Sequence, residues 1–184
     1  MKIARYLIVI PMLVAVSGVA SAEEKKPAEE KAFATGVIDL GVVVSDIEAS
    51  VKFYTEGIGF TEQTGFSVGG DFGRDAGLAD NVPLDIRVLT LGDEAGGTKL
   101  KLMQTPGVKN KKSDNTFIHS QLGYSYITIM VTDTTQAVKR LAAIGVKPLA
   151  KGPVALPKGF PEGIYLTVVR DPDGNVVELV GPKK

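Results

Sequence analysis

The chain has 184 residues, of which 44% are hydrophobic and 23% are charged. This length and composition suit one globular domain with enough chain to bury a core. Lysine plus arginine and aspartate plus glutamate both number 21, so the sequence lacks the basic surplus typical of nucleic-acid-binding proteins. Cysteine is absent, which excludes disulfides, cysteine-ligated zinc and thiol nucleophiles.

The first 22 residues have the three-part pattern of an export signal. A positive start is followed by an apolar run and a small-residue cleavage site, which are Lys2 with Arg5, Tyr6 to Val16, and Ala20-Ser21-Ala22. The run covers 11 residues, whereas about 20 are needed to span a bilayer. We therefore predict a signal peptide over 1–22 and a periplasmic or secreted protein that keeps no stable membrane anchor after cleavage.

Residues 23–34 are charged, contain Pro27 and show no sustained apolar periodicity. Such a segment cannot bury apolar surface, so we predict a flexible linker there. The remaining residues, 35–182, are predicted to form the folded domain.

An internal repeat organises this domain. Val42–Asp46 recurs as Ile129–Asp133, and Ser50-Val51-Lys52 recurs as Ala137-Val138-Lys139, both at an offset of 87 residues. Each copy reads as an alternating strand, an aspartate and a helix. The repeat predicts an internal duplication.

The strand that opens each copy alternates with period two. One face carries apolar residues and the other face carries the residues between them, which are Asp39, Gly41 and Val43 in the first copy and Tyr126, Thr128 and Met130 in the second. Asp46 and Asp133 then stand where a helix N-cap is expected, since a carboxylate accepts hydrogen bonds from free backbone N–H groups. We expect both aspartates to be caps and Gly145 to end the second helix.

Three further strands are predicted after each helix, at 60–68, 84–91 and 98–104 in the first copy and at 146–150, 163–170 and 175–180 in the second. Asp171-Pro172-Asp173-Gly174 is a tight turn between the last two. The expected fold class is α+β: two paired βαβββ modules, 35–105 and 123–182, joined by a linker over 106–122.

This order of elements resembles the vicinal-oxygen-chelate superfamily of glyoxalases, extradiol dioxygenases and bleomycin-resistance proteins. Three stretches carry the resemblance: Gly41–Ile47, Leu100–Met103 and the closing Asp171–Leu179, which reads D-P-D-G-N-V-V-E-L. The resemblance covers about 35–182 and implies that the two modules form a cup-shaped mixed sheet with helices outside and a site inside. A homodimer is also compatible with it.

In metal-dependent members, four residues inside the cup hold a divalent ion: two histidines and two glutamates. By motif position, the resemblance places Asp39, Lys101, Tyr126 and Glu178 there, and only Glu178 keeps the family's residue type. A lysine ammonium has no lone pair for a metal. At about 4 Å from a divalent ion, and with an effective dielectric near 20, Lys101 would meet repulsion of about 8 kcal/mol. We expect Lys101 to lie between Asp39 and Glu178 in place of the metal.

Three interpretations of this cluster remain open. The first is a buried, mutually satisfied ion network without turnover or cofactor. This interpretation includes the case in which the cup binds a small oxygen-rich molecule without reacting, as bleomycin-resistance proteins do. The second is a lyase, isomerase or dioxygenase of this superfamily, with Asp39 and Glu178 holding Zn, Ni, Mn or Fe and with His119 as a further candidate. The third is metal-free catalysis, in which Glu178 abstracts a proton next to a carbonyl while Lys101 and Tyr126 stabilise the enolate. Glyoxalase activity itself is not predicted.

Overall fold

Two four-stranded mixed sheets, each with a helix on one face, make up the fold in this computed structural model, which describes residues 32–184. Gly36–Lys184 forms one compact unit. The predicted signal peptide and most of the predicted linker lie outside the described residues. Within 32–184, no helix has the length and apolar character needed to cross a membrane.

The first sheet has the strand order β1-β4-β3-β2, with β1 parallel to β4 and the other pairs antiparallel. A π-helical segment over Phe53–Ile58 directly continues α1. The elements of this module are β1 (Leu40–Val43), α1 (Ile47–Lys52), β2 (Thr61–Val68), α2 (Gly70–Asp75), β3 (Leu84–Leu91) and β4 (Thr98–Gln104).

The second sheet repeats this order as β5-β8-β7-β6, again with one parallel pair, β5 and β8. Its elements are β5 (Tyr126–Met130), α3 (Thr134–Ala143), β6 (Val154–Ala155), β7 (Ile164–Arg170) and β8 (Val176–Pro182). The fold class expected from the sequence, α+β with two paired modules, is therefore confirmed.

Both predicted N-caps are confirmed. Asp46 Oδ1 accepts a hydrogen bond of 3.0 Å from the Ala49 N–H, and Asp133 Oδ1 accepts one of 2.8 Å from the Thr135 N–H. Gly145 has a φ of 82°, in the left-handed region that glycine adopts most readily, and it follows α3 as expected.

One predicted strand is wrong. Residues 146–150 form no strand, and β6 lies further along at Val154–Ala155, where it pairs with β7. Pro148 interrupts the run because it has no N–H to donate, and the Val146 N–H instead donates to the Leu141 carbonyl at the end of α3. Only Leu149 bonds to β7, through its N–H to the Val168 carbonyl at 2.9 Å.

One hydrophobic core joins the two modules. Leu141 of α3 has an exposed fraction of 0%, and together with Ile144 it packs against Gly57 of the π-helical segment. The core contains residues of α1, the π-helical segment and α3. It also contains inward-facing residues in or next to the strands of both sheets, including Val44, Leu100, Leu102, Ile129, Val169, Val177 and Leu179. Each sheet thus has one face against this core and one face turned away from it.

We call the faces turned away from the core the first and second open faces, although Leu84, Ile86 and Val88 of β3, on the first of them, are buried in a second hydrophobic cluster. The alternation along the strands places Asp39, Gly41 and Val43 on the first open face, as predicted, together with Lys101 of β4. The second open face carries Tyr126, Thr128 and Met130 of β5 and Glu178 of β8.

Candidate functional site

The first open face holds an ion pair between the chain preceding β1 and strand β4. Lys101 Nζ lies 2.9 Å from Asp39 Oδ2, with side-chain exposed fractions of 36% and 39%. In the parallel register, Lys101 stands opposite Gly41, which has no side chain, so its ammonium reaches back to Asp39. This hydrogen bond is the main reason that the pKa of Asp39 is lowered, and the charges of Lys101 and Lys99 add to the effect.

The second open face holds the equivalent positions of the other module. Glu178 stands opposite Thr128 in the parallel register, and Thr128 Oγ1 donates a hydrogen bond of 2.7 Å to Glu178 Oε2. Tyr126 lies on the same face with an exposed fraction of 49%. In the part of the chain that the structure describes, its hydroxyl has no hydrogen-bond partner.

Thr128 is a site residue that the sequence reasoning missed. The offset of 87 residues pairs it with Gly41, and the strand alternation puts it on the face of Tyr126. Those two signals were sufficient to find it. The difference between a glycine and a threonine at this position explains why Lys101 turns to Asp39 while Glu178 bonds to the strand beside it.

The four predicted positions therefore form two half-sites. We define the first half-site as Asp39 with Lys101, and the second half-site as Tyr126, Thr128 and Glu178. Among the described residues no ion pair joins Lys101 to Glu178, so the expected contact of Lys101 with both carboxylates is present on the Asp39 side alone. The pair is also partly exposed, whereas a buried network is one of the expectations from the sequence.

The donor atoms do not fit the four-ligand metal site of the metal-dependent relatives. Lys101 offers an ammonium without a lone pair, and it already lies on Asp39. Residues 32–184 contain no group of three or more His, Cys, Asp or Glu side chains placed to share an ion. His119 lies in the segment before β5, where its ring stacks on Phe117 at 5.6 Å between centroids.

Two cavities lie near these sheets, and no residue of either half-site lines them. One, of about 290 Å³, lies at the carboxyl end of β1 and is lined by polar groups that include Ser45, Gln104, Lys111 and Asp173. The other, of about 90 Å³, lies on the β7 side of the second open face, between β7 and residues 148–154. Val168 of β7 lines the second cavity and is the register partner of Glu178.

The family model described as Glyoxalase/Bleomycin resistance protein/Dioxygenase superfamily matches residues 36–179. The chain belongs to this superfamily. The match spans both modules and both half-sites, so the resemblance seen in the sequence is confirmed. Among curated proteins, no match to this chain is found.

Solved structures show the same fold. A glyoxalase family protein from Bacillus cereus is 21% identical with a TM-score of 0.66, over 85% of this chain and 100% of that one. A trypanothione-dependent glyoxalase I from Leishmania major is 25% identical with a TM-score of 0.55, over 79% and 85% of the two chains. A glyoxalase/bleomycin resistance protein/dioxygenase domain from Frankia sp. EAN1pec is 21% identical with a TM-score of 0.54, over 82% and 93%.

Proposed function

We propose that this superfamily member is an exported protein that binds a small oxygen-rich molecule at its two half-sites, without the divalent metal ion of its metal-dependent relatives. The observation that carries the proposal is the unsatisfied hydrogen-bonding capacity of partly exposed polar groups on both open faces. Lys101 has three N–H donors, of which Asp39 takes one, and the Tyr126 hydroxyl has no partner among the described residues.

These groups suit a ligand with several oxygens. The remaining Lys101 donors match a carboxylate or a carbonyl, while Glu178 and Tyr126 match a ligand hydroxyl. Hydrogen bonds to charged groups contribute about 1.5–3 kcal/mol each, so two or three of them give useful affinity for a small molecule.

A second copy of the chain is the partner that joins the half-sites. Lys99 and Lys101 outnumber Asp39 at the first half-site, whereas Glu178 is the charged residue of the second. In a twofold dimer, the first open face of each copy meets the second open face of the other, which brings opposite charges together twice. Such contacts also cover Met130 and Val43, whose exposed fractions are 71% and 48%.

The dimer is tested by sedimentation of the purified protein. We expect a dimer for the wild type and dissociation in Met130→Asp, while Glu162→Lys, a change in an exposed loop, leaves the dimer intact. A wild type that sediments as a monomer at its highest soluble concentration would overturn the dimer and leave ligand binding by each open face to be tested separately.

Metal content is the first measurement. Elemental analysis follows exposure of the purified protein to Zn²⁺, Ni²⁺, Mn²⁺ or Fe²⁺, with Lys101→Glu as the comparator and Lys99→Glu as its matched control. We expect no stoichiometric metal in the wild type or the control, and a gain in Lys101→Glu, which restores a carboxylate at a ligand position. Near-stoichiometric metal in the wild type would overturn the metal-free proposal and favour a metal-dependent lyase, isomerase or dioxygenase with Asp39 and Glu178 as ligands.

Ligand binding is tested by amide NMR with a panel of diols, 2-hydroxy acids and 2-oxo acids. We expect a binding member to shift the amides around Lys101, Thr128 and Glu178. Lys101→Met and Glu178→Gln should each weaken binding about tenfold, the equivalent of about 1.4 kcal/mol. Lys139→Met, at an exposed position of α3, serves as a matched surface control. Binding that is unchanged in both site variants contradicts the proposal.

A further inference from the structure

The second open face holds an apolar cavity that the polar half-sites do not use. Its volume is about 90 Å³, and its side chains are apolar except for Lys151. The wall toward β7 consists of Leu166 and Val168, and the opposite wall comes from Val154 of β6 and from the segment before it, including Pro148 and Leu149.

Backbone hydrogen bonds hold both ends of this cavity. The Leu149 N–H donates to the Val168 carbonyl at 2.9 Å, and Val154 pairs with Leu166 in the sheet. Between them, the chain passes so close to β7 that a Cβ on Gly152 would lie 3.0 Å from the Thr167 side chain. The cavity is therefore formed before a ligand arrives, which lowers the entropy cost of binding.

The cavity lies beside Val168, which is the register partner of Glu178 in the second half-site. Val168 and Glu178 are register partners on β7 and β8, and both point away from the core because Val169 and Val177 point into it. Side chains of such partners lie about 5 Å apart at Cβ. The Thr128 hydrogen bond draws the Glu178 carboxylate toward β5, so a ligand whose hydroxyl meets Glu178 reaches the cavity by extending across Val168.

The size of the cavity limits what it accepts. A dry apolar cavity of about 150 Å³ holds benzene, so one of about 90 Å³ holds, in proportion, about three or four carbon atoms. Water gains few hydrogen bonds from apolar walls, whereas an alkyl group buries its surface there.

Resting on the function proposed above, we infer that the ligand carries a compact alkyl group of about three or four carbons next to its oxygen-bearing carbon, and that this group enters the cavity beside β7. The half-sites recognise the oxygens, and the cavity selects the alkyl group by length.

A series of 1,2-diols with side chains from methyl to hexyl tests this inference by amide NMR titration. We expect affinity to rise about fourfold per methylene up to propyl or butyl, and to gain nothing for hexyl. Val154→Phe, which fills the cavity from the edge strand, should abolish the dependence on length. Ala155→Phe, the next residue with its side chain on the opposite side of β6, should preserve it.

A second variant keeps the test decisive if Val154→Phe fails to fold. Val168→Ala enlarges the cavity and should move the optimum to a longer side chain. Equal affinity along the series, with Glu178→Gln still weakening every member, would overturn the alkyl cavity and leave the proposed function standing. Chain-length dependence that Glu178→Gln does not affect would separate the cavity from the half-site and overturn the inference. A series in which no diol shifts the amides of the second half-site would overturn the inference, and the proposed function would fall with it only if the 2-hydroxy and 2-oxo acids also leave those amides unshifted.

Discussion

The Tyr54 hydroxyl donates a hydrogen bond of 3.0 Å to Asp171 Oδ2, and this buried bond ties the first module to the second. The same carboxylate shapes its own turn, because Asp171 Oδ1 accepts from the N–H groups of Asp173 and Asn175. Asp173 in turn accepts a hydrogen bond of 3.0 Å from the Ser45 N–H. The closing D-P-D-G-N motif therefore links the two modules through hydrogen bonds.

Removing the Tyr54 hydroxyl should destabilise the protein. Tyr54→Phe leaves the buried Asp171 carboxylate short of one donor, and the expected loss is about 1.5–3 kcal/mol in the free energy of unfolding. Urea unfolding measures it. Tyr124→Phe, the same chemical change at a fully exposed side chain, should stay within about 0.5 kcal/mol of the wild type. Equal stabilities for the two variants would show that the bond contributes nothing.

The same bond predicts how stability depends on alkaline pH. Burial raises the pKa of the Tyr54 hydroxyl, and the neighbouring Asp171 charge raises it further. The folded state therefore keeps this proton when the unfolded chain, with a tyrosine pKa near 10, begins to lose it. The stabilisation is complete below that value and declines as the pH rises above it. Unfolding free energies at about pH 8 and pH 11 should show the advantage of the wild type over Tyr54→Phe shrinking; an advantage that grows contradicts the assignment.

Much of the fold could be predicted because its signals are local. The bounds of β3 and β4 match the predicted strands residue for residue, since each run alternates and is bounded by turn residues. Asp46 and Asp133 were recognised as caps because a cap depends on backbone groups two or three residues away. The predicted sixth strand is misplaced because Val146 and Leu149 are typical of a strand, whereas Pro148 between them has no N–H to donate and breaks the pairing.

The site could be predicted only in part, because half of it depends on long-range packing. The family motifs located Asp39, Lys101, Tyr126 and Glu178, and the structure brings the first two together. Whether Lys101 reaches Glu178 depends on how α3 packs against the π-helical segment, which fixes where the two open faces point. No pattern within one module carries that information.

The first half-site predicts a titration that can be measured directly. The Lys101 hydrogen bond keeps the pKa of Asp39 below its ordinary value, so Lys101→Met should raise that pKa toward about 3.9. Carboxyl-carbon NMR titration follows the residue, and Lys99→Met should raise the pKa by less, because Lys99 is a weaker contributor. Because the folded pKa is depressed, the pair stabilises the fold above the unfolded value, and this contribution is lost as the pH falls through the folded value. If Asp39 has the same pKa in the wild type and in Lys101→Met, the ion pair does not form in solution.

At Gly181, β8 passes so close to the chain that follows β5 that a side chain there should lower the free energy of unfolding. A Cβ at this position would lie 2.0 Å from the Val131 carbonyl oxygen, while the Val131 N–H donates to the Val180 carbonyl at 2.8 Å. Gly181→Ala must push these backbones apart, and overpacking of this kind costs about 1–3 kcal/mol. Gly36→Ala is the matched control, because no atom lies within 4 Å of its added Cβ. Urea unfolding should show a lower midpoint for Gly181→Ala alone. Equal midpoints would mean that β8 and the chain after β5 can move apart without a loss of stability. The position of Glu178 on β8 would then be less tightly fixed than the half-site requires.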